Sequence, residues 1–317
     1  RDWSSDVCSS DLPRHPDLAG VLENLANDYH TLGRYGLAQP IREQLLVLNE
    51  DLHGTDSPEV AAALNNLGVL HERLGDYAVA EHFHQRALKI REQVLGVNHA
   101  MTATSLNNLA IVYESQARFE DALELHSRAL QINEMEFGPD HVETAMSLYN
   151  AATLQTEMEN YTAAEPLHLR ALAIREKIHG RNHSETADSL SGLAVLKQQL
   201  GSHAEAEILH RQALEIREAV LGPDHPDTSL GINNLALVLS DQLKFGEAEL
   251  LYQRSVQTLE KTVGDEHLQT ALVVNNLAAM YHAQREYAKA EEQQRRVLGI
   301  REKVLGPDHP NTAATLS

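Results

Sequence analysis

Paired carboxamides at fixed intervals are the residues of this chain best suited to recognition chemistry. Asn24, Asn66, Asn108, Asn150, Asn234 and Asn276 lie at multiples of 42 residues from one another, and Asn65, Asn107, Asn233 and Asn275 stand directly before four of them. A carboxamide offers both donors and acceptors, which is what the main chain of an extended peptide demands whatever its side chains. These ten residues are the expected peptide-binding set. The same amides could instead bond a neighbouring helix and fix the geometry of a repeat, and the spacing admits both roles.

Two further columns carry titratable groups. His84, His126, His168 and His210 form a row continued by Tyr252. A half-buried row of imidazoles would respond to pH near 6.5, whereas the plainer reading is an aromatic-sized filler between helices. Stacked repeats would hold these rings about 10 Å apart, too far to share one ion, so no metal is expected. Glu50, Glu92, Glu134, Glu176, Glu218, Glu260 and Glu302 each stand four residues before a glycine. At the last turn of a helix a carboxylate opposes the macrodipole at a cost of about 0.3 kcal/mol or more, so each should find an arginine or the next repeat's first loop. There is no phosphate-binding Gly-x-x-x-x-Gly-Lys, no Gly-x-Gly-x-x-Gly and no Gly-x-Ser-x-Gly, and His71-Glu72 begins a zinc-type motif that fails at Gly75. No catalytic residue, no enzyme activity and no cofactor are expected.

The elements that must position these columns follow from the period. Glycine falls at Gly54, Gly96, Gly138, Gly180, Gly222, Gly264 and Gly306, and histidine at His15, His99, His141, His183, His225, His267 and His309, with Ser57 the one break. A fixed period of this size means one supersecondary unit stacked on copies of itself. The units are 15–56, 57–98, 99–140, 141–182, 183–224, 225–266 and 267–308, with a partial one at 309–317. Leu106, Leu109, Ala110 and Tyr113, then Ala122, Leu125, Ala129, Leu130 and Ile132, fall at helical spacing on either side of a break near Ala117-Arg118. Each unit is thus two helices, A and B, each about 16 residues or 24 Å long. Asp227-Thr228 after Pro226 would cap helix A. Helix A should end near Gly33-Arg34 or Gly75-Asp76, and helix B should open at the aromatic Tyr35, Tyr77, Phe119, Tyr161, Phe245 or Tyr287, replaced by His203 in the fifth unit. Gly-Pro-Asp-His at 138–141, 222–225 and 306–309 puts glycine where a left-handed residue closes helix B. The expectation is one elongated all-α domain.

Leu109-Ala110-x-x-Tyr113 followed by Ala122 and Ala129 resembles the tetratricopeptide repeat (TPR) pattern, and Ala248-x-x-x-Tyr252 keeps its aromatic. The 42-residue form, with Leu-Asn-Asn-Leu-Ala, Arg-Ala-Leu-x-Ile-Arg-Glu and Leu-Gly-Pro-Asp-His-Pro, is similar to the kinesin light chain class of TPR across residues 15–317. The resemblance implies a right-handed superhelical solenoid of antiparallel helix pairs whose A helices line an inner, concave surface. It also implies that the asparagine before the packed leucine bonds the backbone of a bound peptide. Departures fall at Glu23-Asn24-Leu25, Tyr149-Asn150-Ala151 and Ser191-Gly192-Leu193, where Gly192 removes one amide.

By the same analogy the remaining inward positions include Val69, Ile111, Val195 and Leu237 with Glu72, Arg73, Glu114, Glu157, Asp188 and Asp241. That set is apolar and mildly acidic. The chain carries a net charge of −20 and no Lys/Arg run. A nucleic acid or an anionic membrane is therefore not expected as a partner, and the ligand should be a protein or peptide, neutral to basic, with apolar anchors. The function expected is a protein–protein interaction scaffold. The alternative is the sensor module of a larger signalling NTPase or protease-like protein whose effector lies beyond these residues. No apolar run approaches a membrane span, and a cytoplasmic location is expected. Residues 1–12, which contain the single cysteine, Cys8, and the single tryptophan, Trp3, back-translate into a sequence resembling a common short-read sequencing adapter. They are read as an assembly artefact without structure, with both natural ends of the chain missing.

Overall fold

The computed structural model describes residues 16–307 and 309–315. The adapter-like stretch 1–12, His15 and Ser317 lie outside the described residues. The chain divides into two compact units, one reaching to Arg118 and the other beginning at Phe119. All the regular structure among the described residues is helical.

The first unit contains α1 (Pro16–Thr31), α2 (Tyr35–His53), α3 (Pro58–Arg73), α4 (Tyr77–Val94) and α5 (Ala100–Ser115). The second contains α6 (Phe119–Phe137), α7 (Val142–Glu157), α8 (Tyr161–His179), α9 (Ser184–Gln199), α10 (His203–Leu221), α11 (Pro226–Asp241), α12 (Phe245–Thr262), α13 (Leu268–Ala283), α14 (Tyr287–Leu305) and the short α15 (Pro310–Ala313). Within each unit every helix packs on the next in sequence. The A helices also touch one another, α3 on α5 in the first unit and α7, α9, α11 and α13 in a row in the second. Each A helix from α1 to α13 spans 16 residues, as expected, whereas the B helices run longer than expected, 18 residues in α4 and α12 and 19 in the others, and each opens at the predicted aromatic or at His203.

Small residues let the helices close. Ala80, Ala122, Ala164, Ala206 and Ala248 are fully buried on the B helices, as are Leu64, Leu106 and Leu148 on the A helices; Ala164 packs with Leu193 and Leu196, and Ala206 and Ala248 with Leu235. Burying each leucine contributes about 2 kcal/mol.

Two local expectations are corrected. The cap of helix A is the recurrent histidine rather than Asp227 or Thr228: Nδ1 of His99, His141, His183, His225, His267 and His309 accepts from the backbone N–H two residues on. Ser57 does the same with its hydroxyl, accepting from Val60 N–H, which explains the one break in the column. Thr228 sits one residue deeper than Asp227 and donates instead to the carbonyl of Gly222, at 2.8 Å. The glycine closing helix B has the expected positive φ, but its ψ is extended: Gly180 lies at φ 81°, ψ 177° and Gly222 at φ 92°, ψ 160°. That region is open essentially to glycine alone, so the column is more tightly constrained than a left-handed cap, which asparagine could fill.

Candidate peptide-binding face

The carboxamides occupy the A helices and link successive repeats. Asn108 Nδ2 donates to Asn65 Oδ1 at 2.8 Å, Asn276 Nδ2 to Asn233 Oδ1 at 2.9 Å, and Asn66 Nδ2 to Glu23 Oε1 at 3.4 Å. Each bond spans 43 positions, one repeat plus one residue, because adjacent A helices lie side by side with that offset. The structural role weighed above is therefore present. It does not exhaust the amides, since one rung uses one of two N–H donors.

Exposure separates the ten asparagines. Asn66, Asn108, Asn150, Asn234 and Asn276 are half-buried with part of each side chain open to solvent, and Asn24 is exposed. Asn65 and Asn275 are half-buried and bonded toward helix B, Asn65 Oδ1 to the His84 ring at 3.1 Å and Asn275 Oδ1 to Gln294 Nε2 at 3.4 Å. Asn107 and Asn233 are 8% and 3% exposed and belong to the packing. The column led by Asn66 thus faces outward and the column led by Asn65 faces inward.

The histidine row is core. His84, His126, His168 and His210 are at most 2% exposed, and Tyr252 is fully buried. Burial holds the imidazoles of His84, His168 and His210 down to about 4, with Arg91 adding to the effect at His84 and Arg217 at His210. Desolvation disfavours the charged ring. Gly68 exists for the same packing: a Cβ there would lie 2.4 Å from His84 Nε2.

The glutamate column finds arginines one repeat on. Arg86 reaches Glu50 at 2.6 Å, Arg170 reaches Glu134 at 2.7 Å, Arg254 reaches Glu218 at 2.7 Å and Arg296 reaches Glu260 at 2.5 Å. Glu176 differs, because Gln212 stands in the arginine's place, and it meets the exposed Arg181 at 3.7 Å.

A second set of inter-repeat bonds was not anticipated. On helix B, Arg91, Asn133 and Arg175 are buried, and each donates to a backbone carbonyl and a serine of the next A helix; Arg175 Nη1 lies 3.1 Å from Glu185 O and 2.9 Å from Ser189 Oγ. Arg217 turns back to its own repeat, to Ser191 Oγ at 3.0 Å and Asp188 Oδ1 at 2.8 Å. Gly231 replaces the receiving serine there, and a Cβ on it would lie 3.1 Å from Arg217 Nη1. The sequence signal was the second arginine of Arg-Ala-Leu-x-Ile-Arg-Glu paired with a serine 14 residues later.

The outward positions combine apolar and acidic groups. Val195 and Leu237 are 39% and 38% exposed. Glu72 is half-buried, and desolvation raises its carboxyl, with Arg73 opposing and Glu114 adding. Asp188 is tied to Arg217, and Asp241 accepts from Gln198 Nε2. In the second unit the row of A helices carries an open pocket of about 160 Å³ lined by residues of α7, α8, α9 and α11, among them Tyr149, Glu157, Gly192, Val195 and Asn234. Among the described residues no cluster of histidine, cysteine or acidic side chains is arranged to hold a metal, and no helix is long and apolar enough to cross a membrane.

Solved structures with this geometry are numerous. A putative kinesin light chain from Podospora anserina with nearly identical TPR-like repeats is 21% identical, with a TM-score of 0.54 over 65% of this chain and 97% of its own. The apo form of RapI is 17% identical, with a TM-score of 0.65 over 90% of this chain and 98% of its own. The Rap conjugation gene regulator of plasmid pLS20, solved in complex with the Phr* peptide, is 14% identical, with a TM-score of 0.59 over 90% of this chain and 96% of its own. No curated protein matches the sequence. The tetratricopeptide repeat family models match residues 17–93, 67–134, 101–177, 151–219, 185–261 and 270–311. With the 42-residue register, the helix pairs and these matches in agreement, the chain belongs to the tetratricopeptide repeat family.

Proposed function

We propose that the protein is an interaction scaffold that holds an extended polypeptide segment against the row of A helices. The observation that carries this is the outward column: Asn66 and Asn108 in the first unit stand one repeat apart, and Asn150, Asn234 and Asn276 in the second stand two and one repeats apart, each with a half-exposed carboxamide, the second set on the same A helices as the exposed Val195 and Leu237 or their neighbours. Amides at such intervals can pair with main-chain N–H and C=O groups of a segment lying across successive repeats, while apolar and acidic neighbours select its side chains. A structural neighbour that carries a bound peptide supports the same use of the fold. The net charge of −20 favours neutral or basic segments, whose approach is steered by the opposite potential. The two compact units are read as parts of one repeat array over residues 15–317.

The test uses peptides selected from a random phage-displayed library on the immobilised chain, resynthesised and titrated by calorimetry. The variant Asn150→Ala/Asn234→Ala keeps the rung residues Asn65, Asn108, Asn233 and Asn276, and takes from them only the bond in which Asn233 Nδ2 donates to Asn234 Oδ1, at 3.2 Å. Two lost hydrogen bonds of about 1 kcal/mol each weaken binding by about tenfold or more. Equal affinities with an unaltered circular dichroism spectrum would refute the amide reading. A library that enriched acidic sequences would refute the charge argument separately.

A further inference from the structure

One rung of the carboxamide ladder is replaced in the second unit. Where Asn276 reaches Asn233 across 43 positions, the equivalent pair is Gly192 and Tyr149. The two departures from the repeat belong together. A Cβ on Gly192 would lie 2.8 Å from Tyr149 Cε2 and 2.9 Å from His168 Cε1, so the tyrosine ring fills the space that the rung would occupy. That ring stands edge-on to His168, with centroids 6.0 Å apart, and the Arg175 guanidinium lies 5.1 Å over it.

This pair borders the pocket of about 160 Å³ described above, with Tyr149, Thr153, Glu157, His168, Gly192 and Val195 in its lining. His168 is 1% exposed. Its Nε2 lies 3.3 Å from Thr156 Oγ1, and the Thr156 hydroxyl donates its one hydrogen to the carbonyl of Ala152 at 2.8 Å. The hydroxyl can then only accept from the ring, which assigns the ring proton to Nε2 and leaves Nδ1 as an acceptor. Nδ1 has no hydrogen-bond partner and is closed off from solvent; it lies 3.2 Å from the point where a Cβ on Gly192 would sit, a point that the Tyr149 ring also borders, so a donor reaches it when that ring turns aside. A buried acceptor without a donor carries its full desolvation cost, which a ligand supplying one N–H recovers.

We propose that this pocket is a subsite for one lysine side chain of a bound segment. Its ammonium donates to His168 Nδ1, its methylene stem lies along Tyr149 and Val195, and the Glu157 carboxylate supplies the opposite charge. A single acceptor suits the compact, rotatable ammonium better than the five-donor fork of a guanidinium, and the volume is that of one side chain. The proposal deepens the peptide-binding reading and rests on it for its biological ligand, although the pocket chemistry can be tested without any peptide.

The test observes the His168 ring by NMR in the full chain carrying ¹³C-labelled histidine, with its resonance identified by its loss in His168→Phe. The probe is n-butylammonium, a lysine side chain without its backbone, titrated at slightly alkaline pH against n-butyrate at equal ionic strength. The His168 signal is expected to move with the ammonium and to stay in place with butyrate. In Tyr149→Asn/Gly192→Asn, which restores the pair used at Asn233 and Asn276, the ammonium response is expected to vanish. An unmoved His168 signal, or one that moves equally with butyrate, overturns the subsite, and this comparison does not depend on the double variant folding. Persistence of the ammonium response in the folded double variant also overturns it. Failure of the Asn150 and Asn234 titration alongside a positive result here would discard the amide reading and keep the lysine pocket.

Discussion

Replacing His210 by phenylalanine isolates one buried imidazole of the row and converts its environment into a measurable pH dependence. The ring is 2% exposed, and desolvation, with Arg217 assisting, holds it down to about 4 against an ordinary value of 6.5. The folded value is depressed, so the unfolded chain binds the extra proton first as pH falls. The contribution of the neutral ring is fully present above 6.5, falls through the interval between 6.5 and about 4, and levels off below it. Linkage over these two values gives a loss of about 2 kcal/mol between about pH 7 and about pH 5. Phenylalanine keeps the ring volume, cannot take up a proton, and leaves no hydrogen bond broken at Nε2, which has no partner. The assay is urea unfolding followed by far-UV circular dichroism at both pH values. A repeat array need not unfold in one step, so the quantity compared is the pH-induced change in wild type minus that in the variant. If acidification destabilised His210→Phe as much as wild type, the histidine would carry none of the acid sensitivity and the burial argument would fail.

Four further outcomes follow from local geometry. Leu243 turns out of helix A at φ 61° and is 73% exposed, so Leu243→Gly is expected to raise stability by about 1 kcal/mol in thermal or urea melts; a lower midpoint would refute the strain. Ser189→Ala removes a hydroxyl 2.9 Å from the buried Arg175 guanidinium and is expected to cost about 2 kcal/mol in urea unfolding, because one partner of a charged group is lost. In a double-mutant cycle the half-exposed pair Glu134–Arg170, at 2.7 Å, should couple by under about 1 kcal/mol. Glu176→Gln should change stability less than Glu134→Gln does, and the reverse order would contradict the pairing.

The repeat made most of the local structure legible. Sixteen-residue A helices, B helices opening at Tyr35, Tyr77, Phe119, Tyr161, Phe245 and Tyr287, and positive-φ glycines such as Gly180 and Gly222 all follow from apolar spacing and stop signals within a few residues. The cap was misplaced because histidine ranks low among expected N-caps, although its regular place before each A helix, and the serine that replaces it at Ser57, were both visible.

By itself, then, the sequence determined the period, the helices and the columns in which function could lie, since each depends on neighbours within one turn or on identity between copies. Tertiary structure decided which column faces where. Adjacent A helices meet with an offset of one repeat plus one residue, and that offset turns Asn65 and Asn233 inward as acceptors, leaves Asn108 and Asn276 at the surface, and pairs Tyr149 with Gly192. It likewise sends the Arg175 guanidinium to Ser189 and, where Gly231 removes the serine, returns Arg217 to Asp188. An offset of this kind is set by how side chains of two helices interdigitate, and no property of either helix alone encodes it.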